Sequence, residues 1–189
     1  DLEYPQPYNN RGLVRIAQND PEKAKLDFQA ALRIDPRYID AYNNCGYALT
    51  QLKKYDEAIE WLTKAIEIDP KYVNAWNNRG LAYKQAGKFV EALADFEQAV
   101  TLQPKNPKYY LHRSEALTGL GRNEEAQEDI RRSVWMERLA HVNQQLQSNT
   151  RDPHLWVERC RLLLSANQPD DAMADSDRAL AIKADLPEA

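Results

Sequence analysis

The chain has 189 residues, 43% hydrophobic and 29% charged, with a formal net charge of -4. Only six Gly disfavour a turn-rich all-β protein, and an acidic balance without a basic block argues against nucleic acid as a partner. No run approaches the roughly 18 apolar residues of a membrane span. No signal-peptide pattern opens the chain, although one trimmed away upstream of Asp1 would leave no trace, and the cysteine usage sets the expectation of a reducing compartment, the cytoplasm. Cys45 and Cys160 lack metal-ligand spacing and are expected to be free thiols.

A 34-residue step organises the chain. Gly12, Gly46 and Gly80 keep it, as do Pro36, Pro70 and Pro104. So do Ala24, Ala58, Ala92 and Ala126, and an aromatic recurs at Tyr8, Tyr42, Trp76 and Tyr110. Each repeat is predicted to be two helices. In the second repeat the first helix runs from Tyr42 to a polar break, "LKKYDEA", and the second carries Ala58, Ile59, Leu62, Ala65 and Ile66 at helical spacing. A Pro closes each second helix, because it cannot continue one. Pro21 and Pro169 instead open second helices, where a missing N–H costs little. Small residues at the Gly and Ala phases let the two helices approach closely.

Five repeats fit in one array over 1–189: about 5–38, 39–72, 73–106, 107–151 and 153–186. The fourth is irregular, because Ala126 and Ala172 lie 46 residues apart and no Gly or Pro interrupts 123–152. Its second helix is predicted to run from 123 to about 147, roughly 18 Å longer than its siblings. The second choice is a short extra helix folded back after Met136. The terminal "DLPEA" looks like the opening of a sixth repeat, so the chain is expected to be a piece of a longer array.

The pattern resembles the tetratricopeptide repeat (TPR) family. The matching residues are Tyr42, Gly46, Ala58, Leu62, Ala65 and Pro70 in the second repeat, and Trp76, Gly80, Tyr83, Ala92, Phe96, Ala99 and Pro104 in the third. The resemblance implies an all-α, right-handed superhelical solenoid whose concave groove is lined by first helices. It also implies a binding scaffold rather than an enzyme.

One covariation lies within the chain. Residues Arg11, Cys45, Arg79, Arg113 and Arg159 share a phase, and sixteen residues later stand Asp27, Trp61, Asp95, Asp129 and Asp175. Four repeats are therefore expected to carry an Arg–Asp tie between their helices, replaced in the second by an apolar Cys45–Trp61 contact. The other reading makes these Arg residues anion binders.

The expected groove stripe holds the paired Asn residues. Asn10, Asn44 and Asn78 form a row that changes to His112, and Asn9, Asn43 and Asn77 lie beside it. Asn74, Tyr47, Lys84 and Lys108 complete the candidate peptide-binding set. An Asn amide both donates and accepts, so it can hold an extended peptide by its backbone. Some TPR proteins use such an asparagine ladder. The basic clamp with which others hold a chaperone's C-terminal carboxylate is not matched, since only Lys84 and Lys108 are candidates. The bland alternative is that these Asn residues bond the neighbouring repeat.

Trp135, Met136, Leu139, Val142 and Leu146 form a second surface, expected either to pack on the fifth repeat's first helix or to serve as a homo-oligomer contact. His112, His141 and His154 have no evident nucleophile or metal partner, so neither catalysis nor a cofactor is expected. The sequence thus points to a protein–protein interaction scaffold that captures an extended peptide or partner segment. The alternatives are a substrate-recruiting arm of a larger enzyme and a self-assembling element.

Overall fold

The computed structural model describes residues 4–184, which form ten helices and no strand. The "DLPEA" segment and the end of the 153–186 repeat lie outside the described residues. The chain divides into two compact units at Ile130/Arg131.

The first compact unit holds α1 (Pro5–Ala17), α2 (Pro21–Ile34), α3 (Ile39–Gln51), α4 (Tyr55–Ile68), α5 (Val73–Gln85), α6 (Phe89–Leu102), α7 (Pro107–Gly119) and the start of α8 (Asn123–Ser148). The rest of α8, α9 (Pro153–Ser165) and α10 (Pro169–Ala184) form the second. At 26 residues, α8 is the predicted long helix, against 14 in α2, α4 and α6. No break follows Met136.

Local chemistry explains these boundaries. Pro occupies the first turn of α1, α2, α7 and α9, and the Asp20, Asn106 and Asp152 side chains accept from orphan N–H groups at helix starts. Each hairpin turns through one left-handed residue: Asn19 (φ 59°), Lys53 (φ 58°), Gly87 (φ 76°), Gly121 (φ 75°) and Asn167 (φ 56°). Between repeats, the phased aromatic ties down the connection six residues upstream. Tyr42 Oη donates to the Pro36 carbonyl at 3.2 Å, Trp76 Nε1 to Pro70 at 2.9 Å and Tyr110 Oη to Pro104 at 3.0 Å. In the second compact unit Trp156 Nε1 does the same to Thr150, at 2.9 Å.

Hairpin packing depends on the small residues. A Cβ at Gly80 would lie 2.6 Å from Phe96 Cε1, and one at Gly46 2.3 Å from Leu62 Cγ, so no side chain fits between these helices. Ala24, Ala58, Ala92 and Ala126 are buried at the equivalent close approach. In the first compact unit α1, α3, α5 and α7 touch one another in sequence, whereas α2, α4 and α6 contact only first helices. The first-helix side is therefore the inner, concave side of that unit.

In the second compact unit, Val142, Leu146 and Leu162 form a core with Trp135, Leu139, Leu155 and Trp156 packed on it. Trp135 Nε1 donates to the Leu162 carbonyl at 2.8 Å. The apolar side of the α8 extension is thus covered by α9 of its own chain.

Candidate functional site

The Arg–Asp ties form in four repeats. Arg79 Nε and Nη2 meet the two Asp95 oxygens at 2.8 Å each, and Arg113 meets Asp129 at 2.7 and 2.6 Å. Arg159 meets Asp175 at 2.6 and 2.5 Å, and Arg11 Nη2 meets Asp27 at 2.7 Å. Every Asp is buried. These Arg residues are consumed by internal carboxylates, which leaves the anion-binding reading without a vacant cation. Burial pushes the Asp95 carboxyl up, and Arg79 opposes that shift.

Two features of the tie escape a pairwise search. The phased aromatic, three residues before each Arg, lies against the guanidinium: Trp76 at 5.0 Å, Tyr110 at 5.4 Å, Trp156 at 4.7 Å and Tyr8 at 5.4 Å. Arg79 Nη1 also reaches back to Thr63 Oγ1 at 2.9 Å, and Arg159 Nη1 to Asn143 Oδ1 at 3.0 Å. Each acceptor stands sixteen residues before its Arg, a spacing the sequence displays. In the second repeat, Trp61 takes the guanidinium's place beside Tyr42, with ring centroids 5.6 Å apart, and packs on the cluster that contains Cys45. Burial pushes the Cys45 thiol up to about 12, and both cysteines are free.

The inner face of the first compact unit carries the paired Asn residues. Asn9, Asn43 and Asn77 are buried, Asn44 and Asn78 half-buried, and Asn10 exposed. The amides form one relay. Asn44 Nδ2 donates to Asn9 Oδ1 and Asn78 Nδ2 to Asn43 Oδ1, both at 2.9 Å. Within repeats, Asn43 Nδ2 donates to Asn44 Oδ1 at 3.2 Å and Asn77 Nδ2 to Asn78 Oδ1 at 3.3 Å. His112 Nδ1 ends the chain, 2.7 Å from Asn77 Oδ1. Because Asn77 presents its oxygen, His112 donates through a protonated Nδ1 and keeps Nε2 as an acceptor. Burial lowers the His112 pKa to about 4, opposed by Glu115 and assisted by Lys108 and Lys84, so the imidazole is neutral near pH 7. The repeated signal in the sequence was the 35-residue separation of each inter-repeat pair.

The remaining candidates surround this row. Tyr47, with Leu13 and the half-buried Leu81 at its phase, exposes apolar surface, and Asn74 and Lys108 are both exposed. Lys84 pairs with Glu115, and Asp40 accepts from Tyr72 Oη at 2.6 Å. Asn44 and Asn78 each retain one N–H and one lone pair beyond the relay. Among the described residues no cluster of His, Cys, Asp or Glu could hold a metal, and no helix is long and apolar enough to cross a membrane.

Stacked helix hairpins with a polar inner face define an α-repeat scaffold. Family models described as TPR repeat (residues 46–87) and tetratricopeptide repeat (residues 5–38 and 73–106) match, together spanning about half of the sequence. The chain belongs to the tetratricopeptide repeat family, and its fold is the all-α TPR solenoid. Such repeats are in general protein-interaction scaffolds.

Solved structures are similar to it. The OM64 TPR domain of Arabidopsis is 26% identical, with a TM-score of 0.57 over 59% of this chain and 93% of that one. The first TPR domain of human RPAP3 is 22% identical, with a TM-score of 0.62 over 66% and 98%. TTC0263, a thermophilic TPR protein of Thermus thermophilus, is 19% identical, with a TM-score of 0.64 over 96% and 92%. No curated protein sequence gives a significant match.

Proposed function

We propose that the inner face of the first compact unit captures an extended peptide or partner segment by its backbone. The observation that carries this reading is the amide relay. It fixes Asn44 and Asn78 in one orientation before any ligand arrives, which removes part of the ordering cost of binding. The unspent N–H and lone pair of each amide suit the alternating groups of a peptide backbone, and His112 Nε2 adds one more acceptor. Leu13, Tyr47 and Leu81 offer apolar contact alongside, so partner side chains facing them should be aliphatic or aromatic.

The test is to select binders from a displayed library of unstructured peptides and titrate the best against Asn44→Ala/Asn78→Ala. Each lost backbone hydrogen bond is worth about 1 kcal/mol, so the double variant should weaken binding by roughly 10- to 30-fold. Far-UV circular dichroism must show intact helices. Unchanged affinity in a folded double variant ends the proposal.

A further inference from the structure

Charge on the inner face of the first compact unit is sparse and specifically placed. The inner stripe of each first helix extends one turn to either side of the row that holds Asn44, Asn78 and His112. The turn before that row reads Gln6, Asp40, Asn74 and Lys108, and the turn after it Leu13, Tyr47, Leu81 and Glu115. Lys84 lies one turn further along α5. Among the described residues, the charges on these stripes are therefore Asp40, Lys84, Lys108 and Glu115.

Two of the four cancel within the protein. Lys84 on α5 pairs with Glu115 on α7, so a neutral pair closes the apolar row of Leu13, Tyr47 and Leu81. His112, between Lys108 and Glu115, is uncharged near pH 7. The other two charges have no counter-ion. Asp40 is half-buried, and its Oδ1 accepts from Tyr72 Oη at 2.6 Å. That donor is a neutral phenol, pushed up by burial, and leaves the carboxylate its charge. Lys108 is exposed and forms no ion pair among the described residues.

An anion and a cation thus stand at one phase, two repeats apart. In this unit α3 touches α5 and α5 touches α7. Helices in contact lie about 8–10 Å apart, so Asp40 and Lys108 are separated by roughly 16–20 Å along the groove. An extended chain crosses that distance in about five or six residues.

We propose that the partner segment carries a cationic side chain over Asp40 and an anionic one over Lys108, about five or six positions apart. Aliphatic or aromatic residues lie between them, over Tyr47 and Leu81. Like the backbone capture it extends, this pairing rests on the inner face holding an extended segment. The Asn amides offer the same donor and acceptor in successive repeats, so they set neither register nor sense. The two charges set both. A segment shifted by one repeat meets Asn74 with one of its charges, and a reversed one opposes like charges at both ends.

The binders selected from the unstructured library are the probes, acetylated and amidated so that no chain terminus contributes charge. Their sequences should share the charge pair in one order at that spacing. Lys108→Glu should weaken the best binder about fivefold or more, and replacing its anionic residue by lysine should restore most of the loss. Asp40→Asn, which keeps an oxygen for Tyr72, should weaken it about threefold and abolish its preference for the cationic residue over glutamine. Both losses should shrink in high salt, with circular dichroism confirming intact helices. Binding that needs Asn44 and Asn78 but ignores Lys108→Glu, or is not rescued by the lysine peptide, overturns the charge pairing and leaves backbone capture standing. Affinity lost on amidation does the same, because the anion is then a chain terminus. A library without binders, or binders indifferent to Asn44→Ala/Asn78→Ala, overturns both.

Discussion

Replacing Arg79 by Cys isolates the worth of an internal tie, because the second repeat supplies the apolar counterpart. The Arg79 side chain is 15% exposed and Asp95 5%, and both Asp95 oxygens are bonded to Arg79. Removing one partner of a buried pair costs about 3–5 kcal/mol. The residual exposure favours the lower end, while the lost stacking on Trp76 and the Thr63 bond add roughly 1 kcal/mol. Arg79→Cys alone should therefore destabilise by about 3–4 kcal/mol. Arg79→Cys/Asp95→Trp recreates the Cys45/Trp61 arrangement and should return to within about 1 kcal/mol of the parent, recovering about 2–3 kcal/mol of the loss in Arg79→Cys. Urea titration by far-UV circular dichroism gives the totals, and hydrogen exchange of α5 and α6 amides localises them. Arg11→Cys should lose much less, since that side chain is 56% exposed. A double variant as unstable as the single one would refute the interchange of ionic and apolar ties.

Lys53 occupies the left-handed turn position that Gly87 and Gly121 fill in later repeats, so Lys53→Gly should raise stability by about 1 kcal/mol in the same titration. His112 predicts an acid sensitivity. The unfolded imidazole takes a proton near pH 6.5, whereas burial holds the folded one to about 4, so stability present above pH 6.5 is lost as pH falls through that window. After discounting for the solvent contact it keeps, the loss is about 1–2 kcal/mol. His112→Asn, which retains a donor for Asn77 as Asn44 and Asn78 do for their partners, should flatten the melting temperature between pH 4 and 6.5.

Much of this architecture could be read from the sequence, because the repeat displays its own controls. Four Arg–Asp coincidences and one joint exception identify a contact that a single Arg and Asp would not, and an uninterrupted 123–152 stretch announces the long α8. What escaped notice was chemistry shared among three or more residues. The Thr63 and Asn143 acceptors belong to neighbouring repeats, and an Asn that faces a groove is indistinguishable in sequence from one that bonds the next repeat. Asn44 and Asn78 combine both geometries, half-buried in the relay with hydrogen-bonding capacity to spare. The turn series ending in Lys53 and Asn167 was hidden because five residues of three types share one backbone conformation.

The chain of side chains from His112 to Asn9 also has a sense of direction, and no member can reverse it alone. Asn77, Asn78, Asn43 and Asn44 each give to one neighbour and receive from another, so turning one of them alone would set donor against donor on one side and oxygen against oxygen on the other. Moving the imidazole proton from Nδ1 to Nε2 would oblige Asn77, Asn78, Asn43, Asn44 and Asn9 to rotate together. A partner that donates to Nε2 holds the arrow as it stands, while one that accepts from Nε2 selects the opposite sense. The protonation of one ring nitrogen in the fourth repeat is thereby spelled out again in the first.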